Sequence, residues 1–168
     1  KLELEDKKFY FYCGNNRPHK NVAFISKIFN QNTDLPMLVL AGNGHSSGIN
    51  VKAIGIVSDN ELITLYKHCK AFIFPSTYEG FGLPILESLR CKSKVIASNI
   101  SAFLEFKSIN ISFFKQYDEV DFLVKLAEAD DISYAEEPEF FEYYSKQKIF
   151  SLLDQVVNSL PISNRQHD

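Results

Sequence analysis

Residues 71–91 read AFIFPSTYEGFGLPILESLRC. The opening AFIFPS (71–76) reads as a short strand, its apolar run rich in aromatic and β-branched side chains, as expected of a strand buried on both faces of a parallel sheet. A turn rich in glycine, with Gly80 and Gly82, follows it. Leu83–Pro84 then opens a helix to Cys91, proline being favoured in a first turn because its missing N–H is not needed there. Strand, glycine turn and helix in direct succession make one unit of an α/β fold.

The same unit recurs on both sides. KFYFYC (8–13), MLVLAG (37–42), VKAIGIV (51–57), KVIASN (94–99) and ISFF (111–114) read as further strands. After the first of them Asn21 is placed to cap a helix in which Val22, Ile25, Ile28 and Phe29 recur at the spacing of one buried face. Ser58 and Glu61 form a capping box for a helix over Glu61–Cys69, with Leu62, Leu65 and Tyr66 on its apolar side. Val120–Ala129 and Phe140–Leu160 read as closing helices, with a frayed tail beyond Pro161. The alternation predicts a doubly wound parallel sheet of Rossmann-like α/β class. One connection does not fit: the eight residues NGHSSGIN (43–50) are shorter than the roughly ten to twelve that a parallel crossover with a helix needs. Either that helix is missing or the strand limits shift.

A composition of 45% hydrophobic and 23% charged residues is that of a globular chain, and 168 residues suit one domain, expected over 1–168 with closing helices from about 118 to 160. No apolar run approaches the roughly 20 residues that span a bilayer, and Lys1–Lys8 has no signal-peptide character, so a cytoplasmic location is expected. Eighteen basic residues are scattered among 21 acidic ones, which argues against nucleic acid as a partner. Cys13, Cys69 and Cys91 contain no C-x-x-C pair and read as small buried hydrophobes in a reducing compartment. His19 has no second ligand at metal spacing, and no metal is expected.

Ligands of open parallel sheets bind at the carboxyl ends of the strands. Three loops belong there: GNNRPHKN (14–21), STYEGFGLP (76–84) and SNISAFLE (98–105). In the second, the glycines allow a ligand close to the backbone, and the start of a helix at Leu83 favours an anion through its free N–H groups and dipole. Glu79 lies before that turn and Glu87 inside the helix; each carboxylate is suited to accept hydrogen bonds from vicinal sugar hydroxyls. In the first loop Arg17 and Lys20 are cations suited to phosphate oxygens. Sugars flanking a diphosphate are the implied ligand.

PSTYEGFGLPILESL (75–89) resembles the E-x-x-x-x-x-x-x-E signature of retaining glycosyltransferases of family 4, which have the two-domain GT-B fold. GNNRPHKN resembles that family's glycine-to-lysine phosphate loop, GIVSDNELITLY (55–66) the segment before the signature, and KVIASNISAFLE (94–105) the one after it. Together the motifs cover about residues 9–130, in order and at matching spacing. The resemblance implies that Lys20 holds the donor diphosphate, Glu79 contacts hydroxyls of the transferred sugar, and Glu87 holds the ribose. It also gives Gly14, Asn15, Arg17, Gly80, Phe81, Gly82 and Leu83 to the donor site, Phe81 to Leu83 through backbone N–H groups, with Lys20 and Glu79 at the reaction itself. Two positions depart from the family: Asn15 stands where many members have arginine, Arg17 following two residues later, and Leu104 stands where proline commonly precedes the glutamate.

By this resemblance the chain is the donor-binding half of a retaining hexosyltransferase of surface glycan or lipopolysaccharide synthesis. Its partners are a nucleotide-diphosphate sugar and, through an N-terminal domain that this chain lacks, a glycan or lipid-linked acceptor. Peripheral membrane association is expected of the full-length enzyme, and slow transfer of the isolated domain. A non-hydrolysing nucleotide-sugar epimerase and a non-catalytic nucleotide-sugar-binding module are the alternatives.

Overall fold

The computed structural model describes residues 4–131, 133–145 and 147. Six strands, β1 (Phe9–Cys13), β2 (Met37–Ala41), β3 (Val51–Gly55), β4 (Phe72–Phe74), β5 (Val95–Ser98) and β6 (Ile111–Phe114), alternate with helices. The helices are α1 (Val22–Gln31), α2 (Asp59–His68), α3 (Leu83–Arg90), α4 (Ser101–Leu104), α5 (Glu119–Asp131) and α6 (Pro138–Tyr143), with a 3-10 turn at Pro18–Lys20. The strands form one sheet in the order β3-β2-β1-β4-β5-β6, parallel throughout. This is a Rossmann-like sheet, and its order reverses between β1 and β4.

A first compact unit, ending at Ala135, holds all six strands; a second begins at Glu136. In the second, α6 carries Phe140 with its ring centroid 4.9 Å from that of Tyr144. The expected helix over Phe140–Leu160 is described only in its first residues, and the remainder, with the tail after Pro161, lies outside the described residues.

The core is aromatic because the central strands are. Residues Phe9 to Tyr12 are all buried. Successive strand side chains take opposite faces: Tyr10 meets Phe29 of α1 at 5.4 Å, whereas Phe11 meets Tyr66 of α2, also at 5.4 Å. So α1 and α2 cover opposite faces, as right-handed crossovers leaving β1 and returning to β4 require. The capping box of α2 is present, Glu61 N–H donating to Ser58 Oγ and Ser58 N–H to Glu61 Oε2 at 2.8 Å.

Two sequence expectations need correction or resolution. Asn21 does not cap α1 with its side chain; it takes a left-handed backbone conformation (φ 53°) joining the 3-10 turn to α1, incompatible with the extended geometry of an N-cap. Its Nδ2 is buried without a partner among the described residues. The short β2–β3 connection does lack a helix, and strand limits hold to within two residues. The crossover is tied down instead by Asn50, whose N–H donates to Asn30 Oδ1 and whose Nδ2 donates to the carbonyls of Asn32 and Leu35 at the end of α1.

Where β2 ends, Gly42 (φ 117°) is pressed onto β1's loop: a Cβ there would lie 1.9 Å from the Gly14 carbonyl oxygen. Left-handed strain alone costs on the order of 1–3 kcal/mol in a non-glycine residue. Gly42→Ala should therefore lower the unfolding free energy, measured in urea, by at least that amount. Gly80→Ala, where an added Cβ meets nothing within 4 Å, should stay within about 0.5 kcal/mol of the parent.

Candidate functional site

At the β1/β4 reversal two loops leave the sheet in opposite directions, and the chain joins them across the gap. The backbone N–H of Thr77 donates to the carbonyl of His19 at 2.7 Å, and Thr77 Oγ1 donates to the same oxygen at 3.2 Å. His19 thus serves the site through its backbone. This clamp brings Lys20 to Glu79: Nζ lies 2.5 Å from Oε1, and both side chains are largely buried, at 16% and 15% exposure. Below them, Lys20 Nζ stands 5.3 Å from the centre of the Phe74 ring, the last residue of β4. Lys20 is held over an aromatic face, largely shielded from solvent, against a carboxylate. The bond between them is charge-assisted.

The turn after Glu79 is shaped by Gly82, in the left-handed region (φ 114°) with Phe103 and Phe106 packed against it, so that a Cβ would lie 3.0 Å from the Phe103 ring. Phe103 belongs to α4, a short helix within the segment SNISAFLE (98–105), expected as a loop. Pro84 removes one first-turn N–H of α3 and Ile85 N–H bonds the Gly82 carbonyl, which leaves the N–H groups of Gly82 and Leu83 without protein acceptors among the described residues. Beneath the loop, Ser98 Oγ donates to the Ser76 carbonyl.

Glu87, the fifth residue of α3, is exposed and takes a hydrogen bond on Oε2 from the Tyr66 hydroxyl at 3.2 Å. Cys13, the last residue of β1, places Sγ 3.0 Å from that hydroxyl. Burial pushes the Cys13 thiol up to about 11, the Tyr66 bond and Lys20 pulling it down and Glu87 adding to the rise. Burial likewise raises the Tyr66 phenol above its ordinary range, helped by Cys13 and Glu87. Tyr12 is raised too, by burial and then by Cys13 and Glu79, and donates to the Asn15 carbonyl at 3.0 Å.

The sequence-predicted residues divide by position. Lys20 and Glu79 meet at the centre; Gly80, Phe81, Gly82 and Leu83 form the turn beside them, Phe81 stacking edge-on against Phe106 at 5.2 Å. Glu87 stands on the neighbouring helix. Gly14 accepts a bond on its carbonyl from the ring of His45 at 2.8 Å. Asn15 uses Oδ1 to accept the Arg17 N–H at 3.2 Å, and the Arg17 side chain is exposed and makes no ion pair among the described residues. Tyr66 and Cys13 were missed as site residues. The signal for Tyr66 was a hydroxyl-bearing ring on the buried stripe of α2; for Cys13, a polarisable residue at a strand's carboxyl end.

A Rossmann-like sheet with a cation, two carboxylates and a helix N-terminus gathered at its switch point defines an α/β domain with its candidate site where open parallel sheets bind their ligands. The family model "Glycosyl transferases group 1" matches residues 1–148, and the chain belongs to that family. It is similar to the serotype-specific mannosyltransferase WbdA of Escherichia coli, 39% identical over 84 residues that make up 49% of this chain and 10% of WbdA. It is also similar to the O-antigen chain mannosyltransferase B of Escherichia coli, 31% identical over 126 residues, 62% of this chain and 32% of that protein. Among solved structures, Anabaena HepE in complex with UDP and glucose superposes with a TM-score of 0.75 at 15% identity, over 92% of this chain and 49% of that one. The fold is that of GT-B glycosyltransferases, and the chain spans less than half the length of each of these proteins. No helix among the described residues is long and apolar enough to cross a membrane.

The rise of the Cys13 thiol from an ordinary 9.0 to about 11 lowers its thiolate fraction roughly a hundredfold at any pH below both values. Alkylation of Cys13 by iodoacetamide at pH 7.5, followed by peptide mass spectrometry, should accordingly be about two orders of magnitude slower in the folded chain than in urea.

Proposed function

We propose that this chain binds the donor of a retaining hexosyltransferase that works without a metal ion in surface-glycan or lipopolysaccharide synthesis, the donor being a nucleotide-diphosphate sugar. The carrying observation is the Lys20–Glu79 pair at the β1/β4 switch point, beside the N-terminus of α3. Lys20 exchanges its carboxylate partner for the donor diphosphate. Negative charge grows on that diphosphate as the glycosidic bond breaks, and Lys20 with the Gly82 and Leu83 N–H groups stabilises it without reorganising. Glu79, released, accepts hydrogen bonds from hydroxyls of the hexose, and Glu87 from those of the ribose. Arg17 gives the entering phosphates a second, exposed cation. The names of the two E. coli relatives support mannose as the hexose, and HepE supports a nucleoside diphosphate as the carrier. The acceptor, a glycan or lipid-linked glycan, is held by chain outside these residues, and transfer takes place where the two parts meet, in the cytoplasm at the membrane face.

Titration calorimetry with UDP, GDP, ADP and their hexose conjugates tests the reading. Binding should persist in EDTA; loss of all binding on chelation overturns the metal-free reading. Glu87→Ala should weaken nucleoside diphosphates by about 1–3 kcal/mol, the worth of a charged hydrogen bond. Glu79→Ala should behave differently. It removes Lys20's competing partner, so the free diphosphate should bind as well as or better than to the parent, while the gain from the attached hexose disappears. Equal losses for free and sugar-bearing nucleotide in both variants would show that the two carboxylates do not divide the ligand in this way.

A further inference from the structure

Tyr66 is wholly buried as a ring, yet its one polar atom lies at the site. Phe11 and Phe72 flank the ring edge-on, with centroids 5.4 and 5.1 Å away, so it has little room to turn. Its hydroxyl has a single hydrogen. A carboxylate can only accept, so that hydrogen belongs to Glu87 Oε2, and the hydrogen between Cys13 and Tyr66 must come from the thiol. Burial keeps both the thiol and the phenol protonated at neutral pH, as such a relay needs. The result is a fixed sequence, S–H to O–H to carboxylate, running from the end of β1 across α2 to α3.

Glu87 needs such a tether. It is a long side chain on an exposed helix face, and unrestrained it samples many rotamers, each of which a ligand would have to forgo. With Oε2 held, Oε1 has no protein partner among the described residues. We propose that Tyr66, itself oriented by Cys13, is a positioning residue for Glu87, fixing the carboxylate so that its second oxygen meets the ribose hydroxyls of the donor nucleotide. This inference rests on the assignment of Glu87 to the ribose. Tyr66 touches no ligand atom and acts through the carboxylate it holds.

The experiment pairs variants with a ligand lacking the hydroxyls. Calorimetry is carried out on the chain, Tyr66→Phe, Cys13→Ala, Cys13→Ser and Glu87→Ala, using whichever of UDP or GDP binds the parent and its 2′,3′-dideoxy counterpart. Tyr66→Phe keeps the ring in the core and should weaken the ribonucleotide by about three- to tenfold, with the dideoxy ligand changed less than about twofold. Cys13→Ala should give a smaller loss of the same selectivity, and Cys13→Ser, which keeps a donor, should restore it. Glu87→Ala should lose all preference for the ribonucleotide, and adding Tyr66→Phe to it should cost nothing more. If Glu87→Ala abolishes the preference but neither Tyr66→Phe nor Cys13→Ala reduces it, or if they weaken both ligands equally, Tyr66 only packs and the proposal fails. If Glu87→Ala itself leaves the preference intact, the ribose assignment falls and the proposal with it. Unfolding midpoints of the variants show that the comparison is between folded proteins; should Tyr66→Phe not fold, the Cys13→Ala and Cys13→Ser pair decides.

Discussion

One aligned pair, Phe11 of β1 beside Phe72 of β4, joins the two halves of the sheet. On its other side β1 stays in register with β2 through all five of its residues, from Phe9 to Cys13. Toward the carboxyl ends, therefore, the ladder to β4 stops while the ladder to β2 runs on, and the reversal of strand order becomes an opening. Lys20, Glu79 and the start of α3 lie along it. The loop after β1 and the loop after β4 turn away from each other, as strands on either side of a switch point must, and the Thr77–His19 bonds keep them from parting further.

The opening is lined with charge that water only partly reaches. Lys20 and Glu79 satisfy each other there, and removing either alone would leave a charge with few compensating waters. Under the proposed function this pair is the holding state of an anion site. The lysine is already largely desolvated and held in place, so in that proposal the exchange of a carboxylate for a phosphate needs little rearrangement around it. The surroundings are stiff. Phe74 lies under Lys20, Phe103 under the glycine turn and Tyr66 under Glu87, so each polar group of the site rests on a buried aromatic ring.

That stiffness originates in the aromatic character of the strands themselves. Phe72 and Phe74 are 5.6 Å apart and Phe74 meets Phe103 at 5.1 Å, a row of rings that links the sheet interior to the signature turn. Large rings have few rotamers, and their edge-to-face contacts resist shifts that smaller side chains would absorb. The short β2–β3 crossover achieves the same end by polar means, Asn50 filling three hydrogen bonds that a crossover helix would have made unnecessary.

The sequence by itself determined the elements and brought forward the candidate residues of the site. Continuous apolar runs located all six strands within two residues, the 3.6 period located the buried face of α1, and Ser58 with Glu61 located the start of α2, because these signals are local and each is strong over a few residues. The motif loops singled out Lys20, Glu79 and Glu87 as the candidate groups. What the sequence could not give was who faces whom. Lys20 and Glu79 are 59 positions apart, and their contact exists only because the strand order places β4 beside β1. Asn21 read as a cap because the left-handed link from the preceding 3-10 turn is invisible to a pattern of residue types. Tyr66 read as core, correctly for its ring; its hydroxyl finds Cys13 and Glu87 only once three separate elements converge. Such contacts are set by the sheet's reversal, a property of tertiary topology that no local window of sequence contains.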